Sequence, residues 1–384
     1  MSRALLFLFV ASFGAMASFY LLLSVVPRYA MSVGGGEVGA GLATGALMLS
    51  TVATELFTPR LVSAFGHRRV FAAGLFLLGV PALALPAATT LAAIFAVCII
   101  RGAGVAITVV VGGSLVASLL PDERRGEGLG LYGIVVSIPA VIGLPLGLWF
   151  SAHAGYPAVF IAGATAALAG VAAVSGLPAR APQREPSLSL FAAIRTPSLT
   201  RPSLVFAATT MAAGIIFTFL PLAVTHASGN LASLALLVQA ATSTLTRWWA
   251  GRHGDAHGAA RLLIPALLLV ALGMFTLLRI DNAAAVIIGM LLFGAGFGIA
   301  QNVSLAMMFE RVSPTGYDAV SALWNIAYDA GLGVGAVGFG LAVSRAGYPL
   351  AFAFGGVLVL LAMVPAWLDR RAELVVRSAC SRSR

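Results

Sequence analysis

Twelve runs of mostly apolar residues, each long enough to cross a bilayer, follow one another along this chain with only short polar connections between them. A membrane-crossing α-helix needs about 20 such residues to traverse roughly 30 Å of hydrocarbon. Within hydrocarbon the backbone has to satisfy its own hydrogen bonds, which leaves only helices and closed barrels as spanning forms. Runs of this length predict helices. The expected spans are Leu5 to Val26, Val38 to Phe57, Val70 to Ala88, Leu91 to Leu120, Gly128 to Ser151 and Pro157 to Leu177. They continue with Pro202 to Val224, Leu231 to Ala250, Leu262 to Leu278, Ala283 to Phe309, Ala319 to Val343 and Pro349 to Leu368. Composition agrees: 60% of the 384 residues are hydrophobic, 9% are charged, and the mean hydropathy is +1.00. That is far from the balance of a water-soluble domain.

The 23 basic residues are all arginine and give a net charge of +10. In a soluble protein such a charge would suggest a nucleic-acid partner, but here the arginines sit mostly in short loops between apolar runs, and no nucleic acid is expected. With the N-terminus placed in the cytoplasm they divide 19 inside to 3 outside, with Arg101 within a span. By the positive-inside rule both termini are expected in the cytoplasm of a multi-pass protein of the cell membrane. Arg3, the run from Ala4 and the small Ala15-Met16-Ala17 imitate a cleaved signal peptide, but the run continues to Val26 and reads as a retained first helix. Cys98 lies in an apolar run and Cys380 in the polar tail, so no disulfide is expected.

A shift of 192 residues superposes local patterns at four places without a gap. Gly66 falls on Gly258 and Arg69 on Arg261, Gly102-Ala103-Gly104 on Gly294-Ala295-Gly296, and Gly143 on Gly335. Ala154-Gly155-Tyr156-Pro157 with Phe160 falls on Ala346-Gly347-Tyr348-Pro349 with Phe352. Because the shift carries the first span onto the seventh in the same direction, it predicts a parallel repeat of two six-helix bundles around a central path. The expected division is residues 1–177 and 202–368 as the bundles, 178–201 as a cytoplasmic linker rich in Arg, Pro and Ser, and 369–384 as a cytoplasmic tail.

These features resemble the major facilitator superfamily over essentially the whole chain. Its motif Gly-x-x-x-Asp-x-x-Gly, followed by basic residues after the second helix of each half, is matched by Gly251-Arg252-His253-Gly254-Asp255-Ala256-His257-Gly258 with Arg261 beyond. The first half matches only in part, as Pro59-Arg60-Leu61-Val62-Ser63-Ala64-Phe65-Gly66 followed by Arg68 and Arg69, with proline and serine where the motif has glycine and aspartate. The resemblance implies an all-α membrane protein of twelve helices in two pseudo-symmetric six-helix bundles. It also implies a gating role for this loop, with Asp255 against the start of the fifth span near Gly126 to Gly128 and Ser63 against the eleventh near Asp318 as a neutral acceptor. A tight turn without a gating role is the alternative. Arg101-Gly102-Ala103-Gly104 resembles a pattern of proton-coupled members, and Gly143-Leu144-Pro145-Leu146-Gly147 a degraded antiporter motif. Close helix packing and a kink account for the latter equally well.

Ionisable groups deep in hydrocarbon are costly, and so are functional candidates. Arg101 and Asp329 each lie about ten residues into their spans, near mid-depth. Arg101 is expected to contact an anion or substrate or to tune a nearby acid, and Asp329 to carry a proton, a structural hydrogen bond being its alternative. Glu55, one turn from the cytoplasmic end of its span and beside Pro59 and Arg60, fits a gating ion pair. Trp324, Asn325 and Tyr328 flank Asp329, and Gln301, Asn302 and Gln239 add uncharged polar groups that line the expected cavity or bond between helices. None of the five histidines has metal-ligand company, and Gly333, Gly335 and Gly338 form their Gly-x-Gly-x-x-Gly inside an apolar span, where helix packing is the better reading. No cofactor, metal or enzymatic activity is expected: two widely separated carboxylates within the spans, with no histidine there, make no catalytic set. The resemblance implies alternating-access transport by a monomer in the lipid bilayer, with protons and a small-molecule substrate as partners. Proton-coupled efflux of a drug-like or natural-product molecule by an antiporter is the first expectation. Proton-coupled uptake of a sugar, organic anion or other metabolite is the second, and a non-transporting sensor a remote third.

Overall fold

Apolar residues spread around every side of these segments rather than along one stripe, as expected where lipid and neighbouring helices are equally apolar. The computed structural model describes residues 3–119, 125–177, 189–224, 230–313 and 316–371, with the side chains of 117, 118, 125–130, 255–257 and 318 left out. Those residues are helical almost throughout, and no strand occurs among them. Large apolar side chains such as Leu49, Ile134, Leu245 and Val334 are exposed on the helix surfaces, the pattern of a protein solvated by hydrocarbon.

Among the described residues, eight helical stretches are long and apolar enough to cross a membrane, and three of them, of 63, 44 and 53 residues, contain two crossings each. The first of these breaks at a π-helical turn, Met31–Gly35, between spans 1 and 2. The other two break at Gly155, between spans 5 and 6, and at Gly347, between spans 11 and 12. The remaining one of the twelve crossings is Leu231–His257, span 8, whose polar end carries Arg247 and Arg252. Gly155 has φ 79° and ψ 168°, and Gly347 has φ 76° and ψ 167°, a region essentially closed to any residue with a Cβ. The repeated Ala-Gly-Tyr-Pro is thus a corner. Glycine makes the bend, proline opens the next helix, and Tyr156 and Tyr348 lie 6.3 and 6.5 Å from Phe160 and Phe352 one turn on.

The 192-residue register is also a register of contacts. A Cβ at Gly102 would strike the carbonyl oxygen of Leu47, and one at Gly294 the carbonyl oxygen of Gln239, 192 residues further on. Gly104 likewise seats span 4 on Gly74 and Leu78, and Gly296 seats span 10 on Ala266 and Val270. Gly143 and Gly147 bring span 5 against Tyr20 and Leu21 of span 1, while Gly331 and Gly335 bring span 11 against Thr210 and Met211 of span 7.

Two boundaries differ from expectation for identifiable reasons. Span 3 is α-helical over His67–Gly79 but tightens to a 3₁₀ helix over Val80–Ala87, where Pro81 and Pro86 withhold backbone donors. Within the expected linker, Leu190–Arg195 forms a short helix whose Ser189 hydroxyl accepts from the Ala192 N–H at 3.2 Å, and span 7 begins at Pro197. Ala193 of that short helix is buried with Leu199, Met308, Ala319, Val320 and Leu323.

The chain forms two compact units. The first holds residues 1–184 with 216–237 and 336–345, and the second holds 185–215, 238–335 and 346–384. Within the first unit, the Thr44 and Thr218 hydroxyls share a hydrogen bond of 3.0 Å, Gly41 packs on the Ala336 carbonyl, and Phe219 lies 4.7 Å from Phe339. Within the second, Arg311 forks onto both Asp369 carboxylate oxygens, at 3.0 and 2.7 Å, and also donates to the Ser198 carbonyl, tying the ends of spans 7, 10 and 12 together.

Gly102→Val is expected to destabilise the protein by about 1–3 kcal/mol through overpacking, whereas Gly113→Ala, where an added Cβ meets nothing within 4 Å, leaves the melting temperature in detergent nearly unchanged. Asp369→Asn removes the charge from a carboxylate that is only 4% exposed, and is expected to lower the melting temperature well beyond the effect of Asp281→Asn at an exposed position.

Candidate functional site

In the first unit, Arg101 is among the largest fully buried side chains, 2% exposed on span 4. Gly104 draws span 4 close to span 3, so the guanidinium Nε reaches the Leu78 carbonyl at 3.1 Å. Pro81, the residue that would serve that carbonyl in the 3₁₀ pattern, has no N–H to give. Nη2 donates to the Ser18 carbonyl at 3.2 Å and approaches the Ser18 hydroxyl at 3.5 Å. Placing arginine at the centre of a span costs roughly 2.5–3.5 kcal/mol or more, and a hydrogen bond from a charged donor recovers about 1.5–3 kcal/mol. Two good bonds are therefore enough to hold the side chain in place, but all its partners are neutral. Beside it a narrow recess is lined by Phe19, Leu22, Val26, Thr44, Leu47 and Cys98, the last a free thiol.

In the second unit, Asp329 is 8% exposed on span 11. One turn earlier and one residue earlier, Trp324 and Tyr328 are half-buried with ring centroids 6.1 Å apart. Phe206 of span 7 stacks on Trp324 at 4.4 Å with the planes 14° apart, and lies 6.0 Å from Tyr328. The indole N–H donates to the Ser304 hydroxyl of span 10 at 3.0 Å, fixing the ring. Three spans thereby build a rigid aromatic shelf on the helix that bears the carboxylate. Asn325, Gln301 and Asn302 are half-buried, and Gly251 at the end of span 8 leaves room for the Asn302 amide. Gln239 is 2% exposed, and its side-chain oxygen has no hydrogen-bond donor among the described residues. A buried acceptor left in that state costs on the order of 1–3 kcal/mol.

The two expected gating turns share one geometry. Gly66, with φ 80°, closes span 2 and Gly258, with φ 90°, closes span 8, each glycine N–H returning at 2.8 Å to the carbonyl four residues back. The Ser63 hydroxyl donates to the Arg60 carbonyl of its own helix at 2.8 Å. Arg68, Arg69 and Arg261 are exposed, and Arg60 lies over the Phe57 ring at 5.9 Å. Glu55 is buried in span 2 one turn before Pro59. The side chains of Asp255 and Asp318 and those around Gly126 to Gly128 lie outside the described residues.

Of the residues singled out by sequence, the structure joins Trp324 and Tyr328 on one shelf and sets Gly251 beside Asn302, whereas Arg101 and Asp329 belong to different units. Sequence reasoning missed Ser18, Leu78, Phe206, Ser304 and the Arg311–Asp369 fork. A signal existed for Ser18, because the 192-residue shift carries it onto Thr210, whose hydroxyl also bonds across a helix interface, to the Ala327 carbonyl at 3.1 Å. No comparable signal marks Phe206, which falls 192 residues beyond Gly14.

Comparison with known proteins agrees with this architecture. A riboflavin transporter, RibZ, of Clostridioides difficile (strain 630) is 28% identical over 116 residues, which is 30% of this chain and 25% of the relative, so the match spans about a quarter of that protein's length. The D-xylose-proton symporter structure superposes with a TM-score of 0.78 over 94% of this chain and 96% of its own, at 14% identity. A point mutant of the nucleoside transporter NupG gives 0.73 over 96% of this chain and 99% of its own, at 14% identity. A bacterial homologue of the human lysosomal transporter Spinster, solved in an inward-facing and occupied conformation, gives 0.73 over 96% of both chains at 15% identity. At such identities these likenesses show a shared fold. The sequence model described as Major Facilitator Superfamily matches residues 8–226 and 202–379, so the chain belongs to the Major Facilitator Superfamily, whose members are membrane transporters and not enzymes.

Proposed function

We propose that this protein is a secondary active transporter of the cell membrane that exports a drug-like or natural-product small molecule in exchange for protons. In this reading the two bundles, residues 1–177 and 202–368, joined by the cytoplasmic linker 178–201 and followed by the tail 369–384, rock about a path at the bilayer midplane in a monomer. The observation that carries it is Asp329, an almost fully buried carboxyl in the middle of a span, beside an aromatic shelf with partly exposed rings. Such a group is expensive to leave charged in hydrocarbon, so gaining or losing a proton changes its free energy with its surroundings, which is what couples a proton to a conformational cycle. The glycine-closed turns at Gly66 and Gly258, with Glu55, Ser63, Arg68, Arg69, Asp255 and Arg261, serve as the cytoplasmic gate. Arg101, Gln239, Gln301, Asn302, Trp324, Asn325 and Tyr328 line the path.

Proton-coupled uptake is the second reading, supported by a fold relative that is a D-xylose-proton symporter. The two readings share Asp329 as the carrier and differ in direction and in the solute.

Proteoliposomes with an imposed pH gradient test the coupling. A transported lipophilic compound is expected to dissipate the gradient through the intact protein, and Asp329→Asn to slow that response by at least about tenfold while solute binding persists. An unchanged response in Asp329→Asn removes the carrier assignment, and a response only to polar metabolites favours uptake. Topology is tested separately: with both termini cytoplasmic, a C-terminal fluorescent-protein fusion is expected to fluoresce and a C-terminal alkaline-phosphatase fusion to be inactive, and the reverse result inverts the orientation.

A further inference from the structure

We infer that the short helix before span 7, Leu190–Arg195, is a membrane-surface anchor. It lies at the boundary between headgroups and acyl chains in the leaflet on which span 7 begins, with Phe191 and Ile194 among lipid chains and Arg195 on lipid phosphates. The inference requires only the membrane fold and is independent of what the protein carries and in which direction.

The first observation is an apolar face that the protein leaves uncovered. Phe191 is 75% exposed and Ile194 is 44% exposed, although Ala193 between them is buried with Leu199, Met308, Ala319, Val320 and Leu323. Residues three apart share one side of a helix, so Phe191 and Ile194 form one surface. In water a phenyl ring so exposed forfeits most of the free energy that its burial would return. A helix with one side on the protein, a large apolar pair on another and an arginine at its end has the division of an interfacial helix.

The second observation is that this face is held in place. Ser189 caps the first turn, and Pro197 favours the extended conformation of Thr196, φ −89° and ψ 108°, at which the helix stops. The Thr200 hydroxyl, one turn into span 7, donates to the Ile194 carbonyl at 2.6 Å, and the Thr196 hydroxyl to the Ala192 carbonyl at 2.8 Å. Two of the last carbonyls are thus satisfied without water, and the elbow between the short helix and span 7 is bonded rather than loose.

The third observation sets the depth. Ser198, three residues past the short helix, offers its carbonyl to Arg311, which also holds Asp369. Two residues before Asp369, Trp367 is exposed, and the Arg371 guanidinium lies 3.7 Å over its ring. An exposed tryptophan under an arginine at the end of a span is the arrangement of a headgroup layer, where ring and charge each meet their own solvent. Span 8 ends in the same way, with Arg252 5.1 Å over Trp248, and span 2 does so with Arg60 over Phe57, 192 residues earlier. Through Arg311 the elbow is tied to that depth, and Leu204, two turns into span 7, is exposed on its surface. Arg195, Arg370 and Arg371 are exposed at this end and outweigh the exposed Glu310, Asp369 being held by Arg311. That balance matches a layer of phosphates rather than a second apolar protein surface.

Depth-resolved quenching tests the anchor. In a Cys380→Ser background the remaining cysteine is the buried Cys98, and Phe191→Cys, Ile194→Cys and, as a lipid-facing reference, Leu204→Cys each add one exposed thiol for a small environment-sensitive fluorophore. The background protein with no added cysteine measures any label on Cys98, which is subtracted. Each full-length protein is placed in phosphatidylcholine nanodiscs, with or without lipid that carries a doxyl quencher near the top of its acyl chain. At Phe191→Cys and Ile194→Cys the doxyl lipid is expected to quench at least about threefold more than aqueous iodide does, as at Leu204→Cys. Iodide quenching that equals or exceeds quenching by the doxyl lipid places the helix in water and overturns the inference. Shielding from both quenchers places a protein surface, such as a second copy of this chain, over the face and overturns it as well. The quencher lies in both leaflets, so the result does not depend on orientation, and the transport reading is judged separately by the pH-gradient experiment.

Discussion

In hydrocarbon no water is available to satisfy a backbone amide or carbonyl, and the rest of this structure follows from that constraint. It makes every crossing a helix, and it removes the hydrophobic difference between neighbouring helix and lipid that would otherwise drive helices together. Association then depends on close approach. Where span 4 meets spans 2 and 3, the side chain is missing at Gly102 and Gly104, and where span 10 meets spans 8 and 9 it is missing at Gly294 and Gly296. The corners at Gly155 and Gly347 come from the same economy: one residue without a Cβ turns the chain, and proline restarts the helix.

Some polar side chains inside this framework bond across to a neighbouring span. Arg101 donates to the Leu78 carbonyl, to which Pro81 has no N–H to offer. Ser304 fixes the edge of Trp324, which in turn lies flat on Phe206. These arrangements stiffen the positions of Arg101 and of the aromatic shelf.

Much of the fold is written in patterns that a single sequence displays. Apolar length marks the crossings, and the 192-residue register anticipates contacts as well as residues, since Leu47 and Gln239 sit under matching glycines. Depth within a span is enough to find Arg101 and Asp329. Their surroundings are not visible, because partners such as Ser18, Phe206 and Ser304 come from spans that are distant in sequence and are ordinary residues until a neighbour is set against them. The same limit hides the Arg311–Asp369 fork, whose arginine reads in sequence as one charge among many at the cytoplasmic face. Local departures such as the 3₁₀ turn from Val80 and the helix Leu190–Arg195 depend on a proline and a serine cap whose weight is felt only against the competing helix.

The glycine contacts carry one further consequence. At Gly102 and Gly294 the approaching atom is a main-chain oxygen rather than the tip of a flexible side chain. Such a seam has no rotamer to change and no methyl group to swing aside, so it behaves as a fixed bearing surface: the helices it joins travel as one rod. Any large displacement of these spans has to be absorbed outside the seams, and the glycine corners at Gly66, Gly155, Gly258 and Gly347 are where the backbone has the dihedral freedom to absorb it.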